Sequence, residues 1–339
     1  MSKLFSSLKI KDMELKNRIV MAPMCMYSAL NDGITNNWHF IHYSTRAIGG
    51  VGLIILEATG VTPGGRISDH DLGIWSDTHV EGLKNIVEEC HKYGAKMGIQ
   101  ISHAGRKSEA LLDPILAPSP IAFNEEYRKP AEMTKQDIVN TINSFKEAAR
   151  RALLAGFDLL ELHGAHGYLI GQFLSPLTNK RQDEYGGIPE NRVRFLKEII
   201  TAVKTVWPKT KPLILRVSAE DYAEGGNNAK ESALLINLVK NLGIDVVDVS
   251  SGGTVPAKIN VYPGYQINYS EVIKHTCDIL TIGGGLITSP LMAEEILNND
   301  RADLIFLARE LLRNPYWALK AAKELGDNIE WPAQYQRSK

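Results

Sequence analysis

Two histidines and a tyrosine, His163, His166 and Tyr168, lie within six residues of one another in the stretch ELHGAHGYLI. Paired imidazoles can bind a metal ion, move a proton, donate hydrogen bonds to an anionic oxygen, or pack in a core. A catalytic zinc site needs three protein ligands, and His103 is the one evident candidate for the third. The glycines around His166 disfavour a core pair, so an oxyanion site and a metal site remain open.

The elements that must position these residues form a regular series. Short apolar runs recur along the chain, and each is followed by a longer amphipathic segment. Such strands, alternating with helices, are typical of parallel strands covered on both faces. The eight predicted strands span residues 17–24, 52–59, 96–102, 157–163, 212–218, 244–250, 278–284 and 302–308. The pattern predicts an α/β fold of the closed (β/α)8, or TIM-barrel, type.

The helical segments between the strands keep the i, i+3, i+4 apolar spacing. They include residues 76–94, 133–156, 189–207 and 229–243. Thr134 is the expected N-cap of the second of these, and Gly156 the expected C-terminal stop.

Active sites of such barrels lie at the carboxyl ends of the strands. His163 and His166 follow the fourth strand, so we expect them at the barrel mouth. Loops after the seventh and eighth strands often bind phosphate, and here they carry the consecutive Gly284 and Gly285 and then Arg309. This favours a phosphorylated ligand. The GGVG stretch at 49–52 precedes a strand, which argues against a dinucleotide-binding Rossmann fold.

Composition excludes several other classes. The chain has 339 residues, 44% of them hydrophobic, and a formal net charge of −1, so nucleic acid is not an expected partner. Three scattered cysteines, Cys25, Cys90 and Cys277, indicate a reducing compartment and no disulfide framework. The N-terminus lacks a signal-peptide pattern, and no apolar run reaches the roughly 20 residues that span a bilayer. We expect a cytoplasmic protein without a membrane partner.

Residues beyond the barrel have recognisable places. A barrel of this type takes about 250 residues, so a single domain over residues 1–339 carries additions. Residues 8–17 predict an N-terminal hairpin. Residues 103–132, rich in proline, predict a long functional loop after the third strand. The chain after Pro315 forms a C-terminal extension, whose last eight residues look too polar to fold alone.

Five segments together resemble the old yellow enzyme family of flavin-dependent ene-reductases, and within it the thermophilic-like bacterial NADPH dehydrogenase subclass. The segments are MAPMCMYS, GIQISHAGRK, ELHGAHGYLIGQFLSPLTNKRQDEYGGIPENRVRF, RVSAEDY and ADLIFLAREL. The resemblance covers nearly the whole chain, and the segment from His163 to Arg194 is the most specific.

This resemblance implies a barrel that holds non-covalent FMN at its mouth. It implies a ping-pong reaction in which NADPH reduces the flavin and flavin N5 then passes hydride to the β-carbon of an α,β-unsaturated aldehyde or ketone. Quinones and nitro compounds are further implied substrates. It also implies a homodimer or homotetramer in which Arg337 reaches a neighbouring subunit's site.

The family pattern falls on specific positions of this chain. The implied cofactor-binding residues are Ala22, Pro23, Met24, Cys25, Ala58, Gln100, Arg216, Gly284, Gly285, Ala308 and Arg309. The implied substrate-binding residues are Tyr27, Lys107, His163, Gly164, Ala165, His166, Tyr168 and Arg337. By resemblance, His163 and His166 hold the substrate carbonyl, Tyr168 donates the proton to the α-carbon, and Cys25 lies near the isoalloxazine.

Two positions depart from the family pattern. Ala308 stands where glycine is common before the arginine, which is tolerable if its φ is negative. Ile188 replaces a serine that would cap the next helix, which costs stability on the order of 1 kcal/mol.

Two other classes remain open from the residues alone. A metal-assisted lyase or hydrolase would use His163, His166 and His103, and a phosphate-ligand sensor would bind without turnover. The iron–sulfur relatives of the flavin family are disfavoured by the scattered cysteines and by the chain length.

Overall fold

A computed structural model describes residues 1–112 and 114–339. The chain begins with an antiparallel hairpin of two three-residue strands, β1 (Leu8–Ile10) and β2 (Met13–Leu15), whose turn contains Lys11 with a φ of +53°. Ile10, Met13 and Leu15 are buried and pack with the residues that line the barrel interior. The predicted hairpin is confirmed, and it closes the bottom of the barrel.

Eight parallel strands form a closed barrel, which confirms the predicted fold class. In order around the barrel they are β3 (Ile19–Met21), β4 (Leu53–Gly60), β5 (Lys96–Ser102), β8 (Leu159–Gly164), β9 (Leu213–Ser218), β10 (Val246–Ser250), β11 (Leu280–Gly283) and β12 (Leu304–Leu307). Each overlaps a predicted strand, and their bounds differ by at most three residues. Two further strands, β6 (Leu116–Ala117) and β7 (Ala131–Glu132), pair in parallel inside the long loop after β5.

Eleven α-helices lie in the described residues and cover the barrel. They are α1 (Asn37–Ile48), α2 (Val80–His91), α3 (Lys135–Leu154), α4 (Leu169–Leu174), α5 (Pro189–Arg192), α6 (Arg194–Val203), α7 (Ala229–Asn237), α8 (Ile267–Cys277), α9 (Pro290–Asn298), α10 (Arg309–Arg313) and α11 (Trp317–Glu324). The side chain of Thr134 caps α3 as predicted, accepting from the amide of Asp137. Helix α7 ends earlier than predicted, and a 3-10 turn over Lys240–Leu242 continues the segment.

The core has an inner and an outer layer, as alternation along the strands requires. Leu53 and Ile55 of β4 pack inside the barrel with residues such as Phe306, whereas Ile54 and Leu56 pack outward in the layer shared with the helices. The strands are therefore apolar on both faces, which explains their continuous hydrophobic runs.

A β-bulge interrupts this alternation near the mouth end of β4. The pairing with β5 shifts between Leu56 and Thr59, where β4 contains one residue more than its partner. Bulges turn side chains away from their regular directions. Here the carboxylate of Glu57 contacts Tyr43 of α1, and Ala58 packs with residues of the mouth.

The C-terminal extension folds back onto the barrel. A 3-10 helix over Ala333–Ser338 ends the chain, and the hydroxyls of Tyr335 and Tyr316 lie 3.1 Å apart. Ser2 is tied to Asp327, so the two termini lie close together. No helix among the described residues combines the length and apolarity needed to cross a membrane.

Candidate active site

The paired histidines lie at the barrel mouth. His163 is near the end of β8 and faces Arg216 of β9 in the strand register. The ring centroids of His163 and His166 are 5.2 Å apart, and those of His163 and Tyr168 are 4.9 Å apart, with both pairs edge to face. The structure therefore brings the three residues of the opening motif into one cluster.

The hydrogen bonds of His163 indicate its tautomer. Its Nδ1 accepts the amide hydrogen of Ala165 at 3.3 Å, so the proton of the neutral ring is on Nε2. The described residues provide no partner for that Nε2–H, which leaves it available as a donor. The adjacent Gly164 cannot be larger, because a Cβ would lie 2.8 Å from the carbonyl oxygen of Arg216.

His166 is held from two sides in a left-handed backbone conformation with a φ of +56°. Its amide donates to Oγ of Ser218 at 2.8 Å, and its Nε2 lies 2.7 Å from Oγ of Ser250. Gln266 donates to the same Ser250 oxygen at 3.2 Å, so the serine hydroxyl can donate to His166 Nε2. This arrangement favours the Nδ1–H tautomer of His166.

Both imidazoles are neutral at ordinary pH. Burial lowers the pKa of His163 well below its usual value, and the nearby His166, Arg216 and Lys107 lower it further. Burial, Arg216 and Lys107 also lower the pKa of His166. Each ring therefore has one N–H to donate and no charge of its own.

Tyr168 lies beside the histidines and begins α4 as its N-cap residue. Together with Cys25 it packs against a small apolar cluster of Ala58, Ile67 and Ala104. Burial raises the pKa of the Tyr168 phenol well above its usual value, so the hydroxyl keeps its proton.

The segment after β3 forms another wall of the mouth. Ala22 is buried, and its amide donates to the carbonyl of Leu307; Pro23, Met24 and Cys25 are partly buried. Burial raises the pKa of the Cys25 thiol, and the carboxylates of Asp71 and Glu57 raise it further. Tyr27 is 52% exposed and has a φ of +50°.

A layer of buried polar side chains lies below the histidines inside the barrel. Gln100 donates to Glu161 at 2.7 Å, and Arg216 Nε lies 3.0 Å from an oxygen of Asp248. That ion pair lacks hydrogen-bond geometry, and the buried Nε–H has no partner among the described residues. Arg216 also stacks 5.7 Å from the ring centroid of Phe306.

An adjoining open cleft of about 620 Å³ is lined by Arg216, by Ala308 and by two of the predicted phosphate-binding residues, Gly285 and Arg309. Arg309 is exposed at the start of α10, and Ala308 has a φ of −113° and a ψ of −99°. Its negative φ meets the condition under which alanine can replace glycine at this position.

The two predicted glycines have different structural reasons. Gly285 lines the cleft with a φ of +100°, and a Cβ there would lie 3.0 Å from the ring of Tyr265. Gly284 is not part of the cleft lining. A Cβ at Gly284 would lie 2.6 Å from the ring of Phe306, so packing inside the barrel requires this glycine.

Sequence reasoning missed several residues of this cleft. Ser250, Tyr265, Gln266, Thr288 and Arg313 all line it. Ser250 ends a predicted strand, and that position was its only signal. The others depend on how the loop before α8 and the turn before α9 fold, which strand patterning does not predict.

Lys107 and the neighbouring Arg106 tie the long loop to the mouth. Lys107 donates to the carbonyls of His166 and Gly253 at 3.0 and 3.3 Å, and its ammonium lies 5.1 Å from the Tyr168 ring centroid. Arg106, which sequence reasoning did not select, donates to backbone carbonyls of residues 121, 122 and 254.

Two candidate residues form no hydrogen bond with the histidine pair, although the carbonyl of His103 accepts the amide of Leu169 at 2.9 Å. Arg337 is exposed on the terminal 3-10 helix, and its side chain takes no part in the hydrogen bonds of the described residues. His103 is buried, and its Nδ1 accepts the amide of Gly105 at 3.1 Å. Across residues 1–112 and 114–339, no group of three histidine, cysteine, aspartate or glutamate residues is placed to hold a metal ion.

Comparison with known proteins identifies the family. The family described as "NADH:flavin oxidoreductase / NADH oxidase" matches residues 3–328. An NADPH dehydrogenase of Clostridium acetobutylicum is 59% identical over 337 residues, which cover 99% of each chain. An NADPH dehydrogenase of a Geobacillus strain is 59% identical over 335 residues, which cover 98% of each.

Solved structures agree with this assignment. Morphinone reductase superposes with a TM-score of 0.83 at 27% identity, over 98% of this chain and 91% of its own. A 2-naphthoyl-CoA reductase superposes with a TM-score of 0.90 at 25% identity, over 95% of this chain and 52% of the larger protein. Because the family description matches residues 3–328 and the relatives match nearly the whole chain, this chain belongs to the NADH:flavin oxidoreductase / NADH oxidase family, the old yellow enzyme family.

Proposed function

We propose that the protein is an FMN-dependent NADPH dehydrogenase that reduces the C=C bond of α,β-unsaturated aldehydes and ketones, with quinones and nitro compounds as further substrates. The single observation that carries this proposal is the pair of neutral imidazoles, His163 and His166, beside a protonated Tyr168 at the mouth of a flavin-family barrel. The net reaction consumes one NADPH and one proton for each double bond reduced.

The residues of the cleft fit FMN. Arg309 and the close approach allowed at Gly285 suit a phosphate, while the guanidinium of Arg216, whose buried Nε–H has no hydrogen bond among the described residues, suits the polar edge of the ring. The other proposed cofactor contacts are Ala22, Pro23, Met24, Cys25, Ala58, Gln100, Gly284 and Ala308. Bound FMN would supply the hydride-carrier chemistry of a ping-pong cycle, from NADPH to the substrate β-carbon by way of flavin N5.

His163 and His166 act as an oxyanion clamp in this proposal. Negative charge develops on the carbonyl oxygen when hydride reaches the β-carbon, and preorganised donors stabilise it by about 3 kcal/mol each. The free Nε2–H of His163 and the Nδ1–H of His166 can both meet that oxygen. Because both rings are already neutral, neither has to lose a proton before it donates to the substrate oxygen.

Tyr168 supplies the proton to the α-carbon. Burial keeps its phenol protonated, and its ring packs against His163 next to the clamp. Tyr27 and the Gly164–Ala165 backbone flank the substrate. Lys107 acts through the His166 carbonyl that it holds.

The proposed assembly is a homodimer or homotetramer in which Arg337 enters a neighbouring subunit's site. Its exposure at the end of a folded tail supports this, since the tail is held in place by the Tyr335–Tyr316 contact. No nucleic acid or membrane takes part.

An anaerobic absorbance titration tests the proposal. The purified protein should be yellow, should lose its flavin absorbance on addition of NADPH, and should regain it when cyclohexenone is added. A colourless protein that cannot be reconstituted with FMN would contradict the proposal. So would a reduced flavin that no enone, quinone or nitro compound reoxidises.

A further inference from the structure

A buried carboxylate outside the proposed catalytic set lies directly behind the wall formed by residues 22–27. Glu57 is 0% exposed. The bulge in β4 turns its side chain toward α1 and the loop after β3, instead of into the barrel with Leu53 and Ile55. A charged side chain is rarely buried this completely without a specific partner.

Both oxygens of this carboxylate accept hydrogen bonds, and the donors lie on different elements. Oε2 accepts the backbone amide of Met26 at 2.7 Å, and Oε1 accepts the hydroxyl of Tyr43 at 2.9 Å. The Tyr43 oxygen in turn accepts the amide of Glu57 itself at 3.1 Å. An ionised carboxylate only accepts, so it satisfies both donors at once.

The surroundings contribute little positive charge. His39 Nε2 lies 3.8 Å from Oε1, and its Nδ1 accepts the amide of Asn36, so a neutral N–H faces the carboxylate. Burial raises the pKa of Glu57 to about 7, and Asp71 raises it as well. Burying an anion here costs free energy, and the two hydrogen bonds to the carboxylate offset part of that cost.

The position of Met26 indicates what the hydrogen bond from its amide holds in place. Its neighbours are Cys25, whose thiol packs at the mouth, and Tyr27, whose φ of +50° is unfavourable for a non-glycine residue. A strained backbone persists only where its surroundings hold it. We propose that Glu57 is a positioning residue, which accepts a hydrogen bond from the Met26 amide and thereby fixes Cys25 and Tyr27 in their orientation toward the substrate. This rests on the proposed function only in taking Cys25 and Tyr27 to border the bound flavin and substrate.

The variant Glu57→Gln tests the proposal. A carboxamide is neutral, so its oxygen is a weaker acceptor for the Met26 amide than the carboxylate is. In the FMN-saturated protein, peptide-resolved hydrogen exchange should show the Met26 amide exchanging at least about ten-fold faster, as expected for losing a bond to a charged acceptor. Tyr43→Phe, which leaves Oε2 and Met26 in place, should change that exchange by less than the Gln variant does.

The matched control is Glu198→Gln, which also removes a carboxylate that accepts a tyrosine hydroxyl, in this case from Tyr185. It should leave Met26 exchange unchanged. In Glu57→Gln, the KM for cyclohexenone should rise several-fold, whereas in Glu198→Gln it should stay the same.

Two results would overturn the proposal. One is unchanged Met26 exchange or unchanged KM in Glu57→Gln. The other is a general loss of packing, in which a thiol-alkylating reagent labels the buried Cys90 and Cys277 as well as Cys25. That result would show that Glu57 only stabilises the fold. If the wild-type protein neither binds FMN nor reduces enones, the proposed function fails. The Met26 exchange would still decide whether Glu57 holds the loop.

Discussion

At the scale of single residues, hydrogen-bond partners decide what each group at the mouth can do. The amide of Ala165 occupies Nδ1 of His163, and Ser250 occupies Nε2 of His166. Each ring is thereby left with its other nitrogen as a donor. The same partners make a metal-binding role unfavourable for His163, because Ala165 occupies the lone pair of Nδ1 and the remaining Nε2 carries the proton.

Tyr168→Phe should slow the half-reaction that delivers the proton and leave the half-reaction that reduces the flavin unchanged. Removing a positioned general acid slows its step by about 10²–10⁴-fold. Stopped-flow absorbance should show slow reoxidation of the reduced flavin by cyclohexenone, with an unchanged rate of reduction by NADPH. Tyr185→Phe removes a hydroxyl bonded to Glu198 away from the mouth and serves as the control. Equal reoxidation rates in the two variants would rule out Tyr168 as the donor.

At the scale of elements, α5 is one of several helices that begin without a side-chain cap. Ile188 is the N-cap residue of α5, is 59% exposed, and has an extended backbone that any capping residue would share. Ile188→Ser should raise the free energy of unfolding by about 0.5–1 kcal/mol, since its hydroxyl can accept an amide of the first turn. Urea denaturation of the FMN-bound protein measures this, with Ile188→Ala as the control. A serine variant no more stable than the alanine variant would show that the cap does not form.

The strands and helices were predictable because their periodicity is local. Strand patterning therefore predicts that His163, Cys25, Ala58 and Arg309 lie at strand ends without knowledge of tertiary contacts. The bulge at Glu57 was not predictable, because an extra residue in a buried strand leaves no mark in an apolar run.

Loop-dependent parts of the site were missed for a related reason. Gln266 reaches Ser250 only because residues 251–266 fold back over the mouth. Lys107 was predicted to bind substrate, and the structure shows its ammonium bonded to the carbonyls of His166 and Gly253. Such contacts join segments that are distant in sequence and have no periodic signature.

At the scale of the whole molecule, two buried carboxylates of the barrel interior, Glu161 and Asp248, lie near the guanidinium of Arg216. Burial and the neighbouring Asp248 raise the pKa of Glu161 to about 8, against an ordinary value of 4.5. The native state therefore holds this proton more tightly than the unfolded chain does.

The sign of the resulting pH dependence is fixed by linkage. Between about pH 4.5 and about pH 8 the contribution of Glu161 to stability falls as pH rises, in total by a few kcal/mol at most. Glu161→Gln should remove that contribution, so the difference in unfolding free energy between variant and wild type should grow toward alkaline pH. Buried histidines act with the opposite sign but cancel in this difference. A difference that is constant with pH would mean that Glu161 is ionised throughout.

The most direct test of the account is the oxidative half-reaction of His163→Ala and His166→Ala. Each loses one donor to the substrate oxygen, so reoxidation of the reduced flavin by cyclohexenone should slow by about 10²–10³-fold while FMN stays bound. Between pH 6 and pH 8 the wild-type rate should show no histidine titration, because both rings are already neutral. Unchanged reoxidation in both variants, or a wild-type rate that titrates near the ordinary pKa of histidine, would contradict the neutral oxyanion clamp.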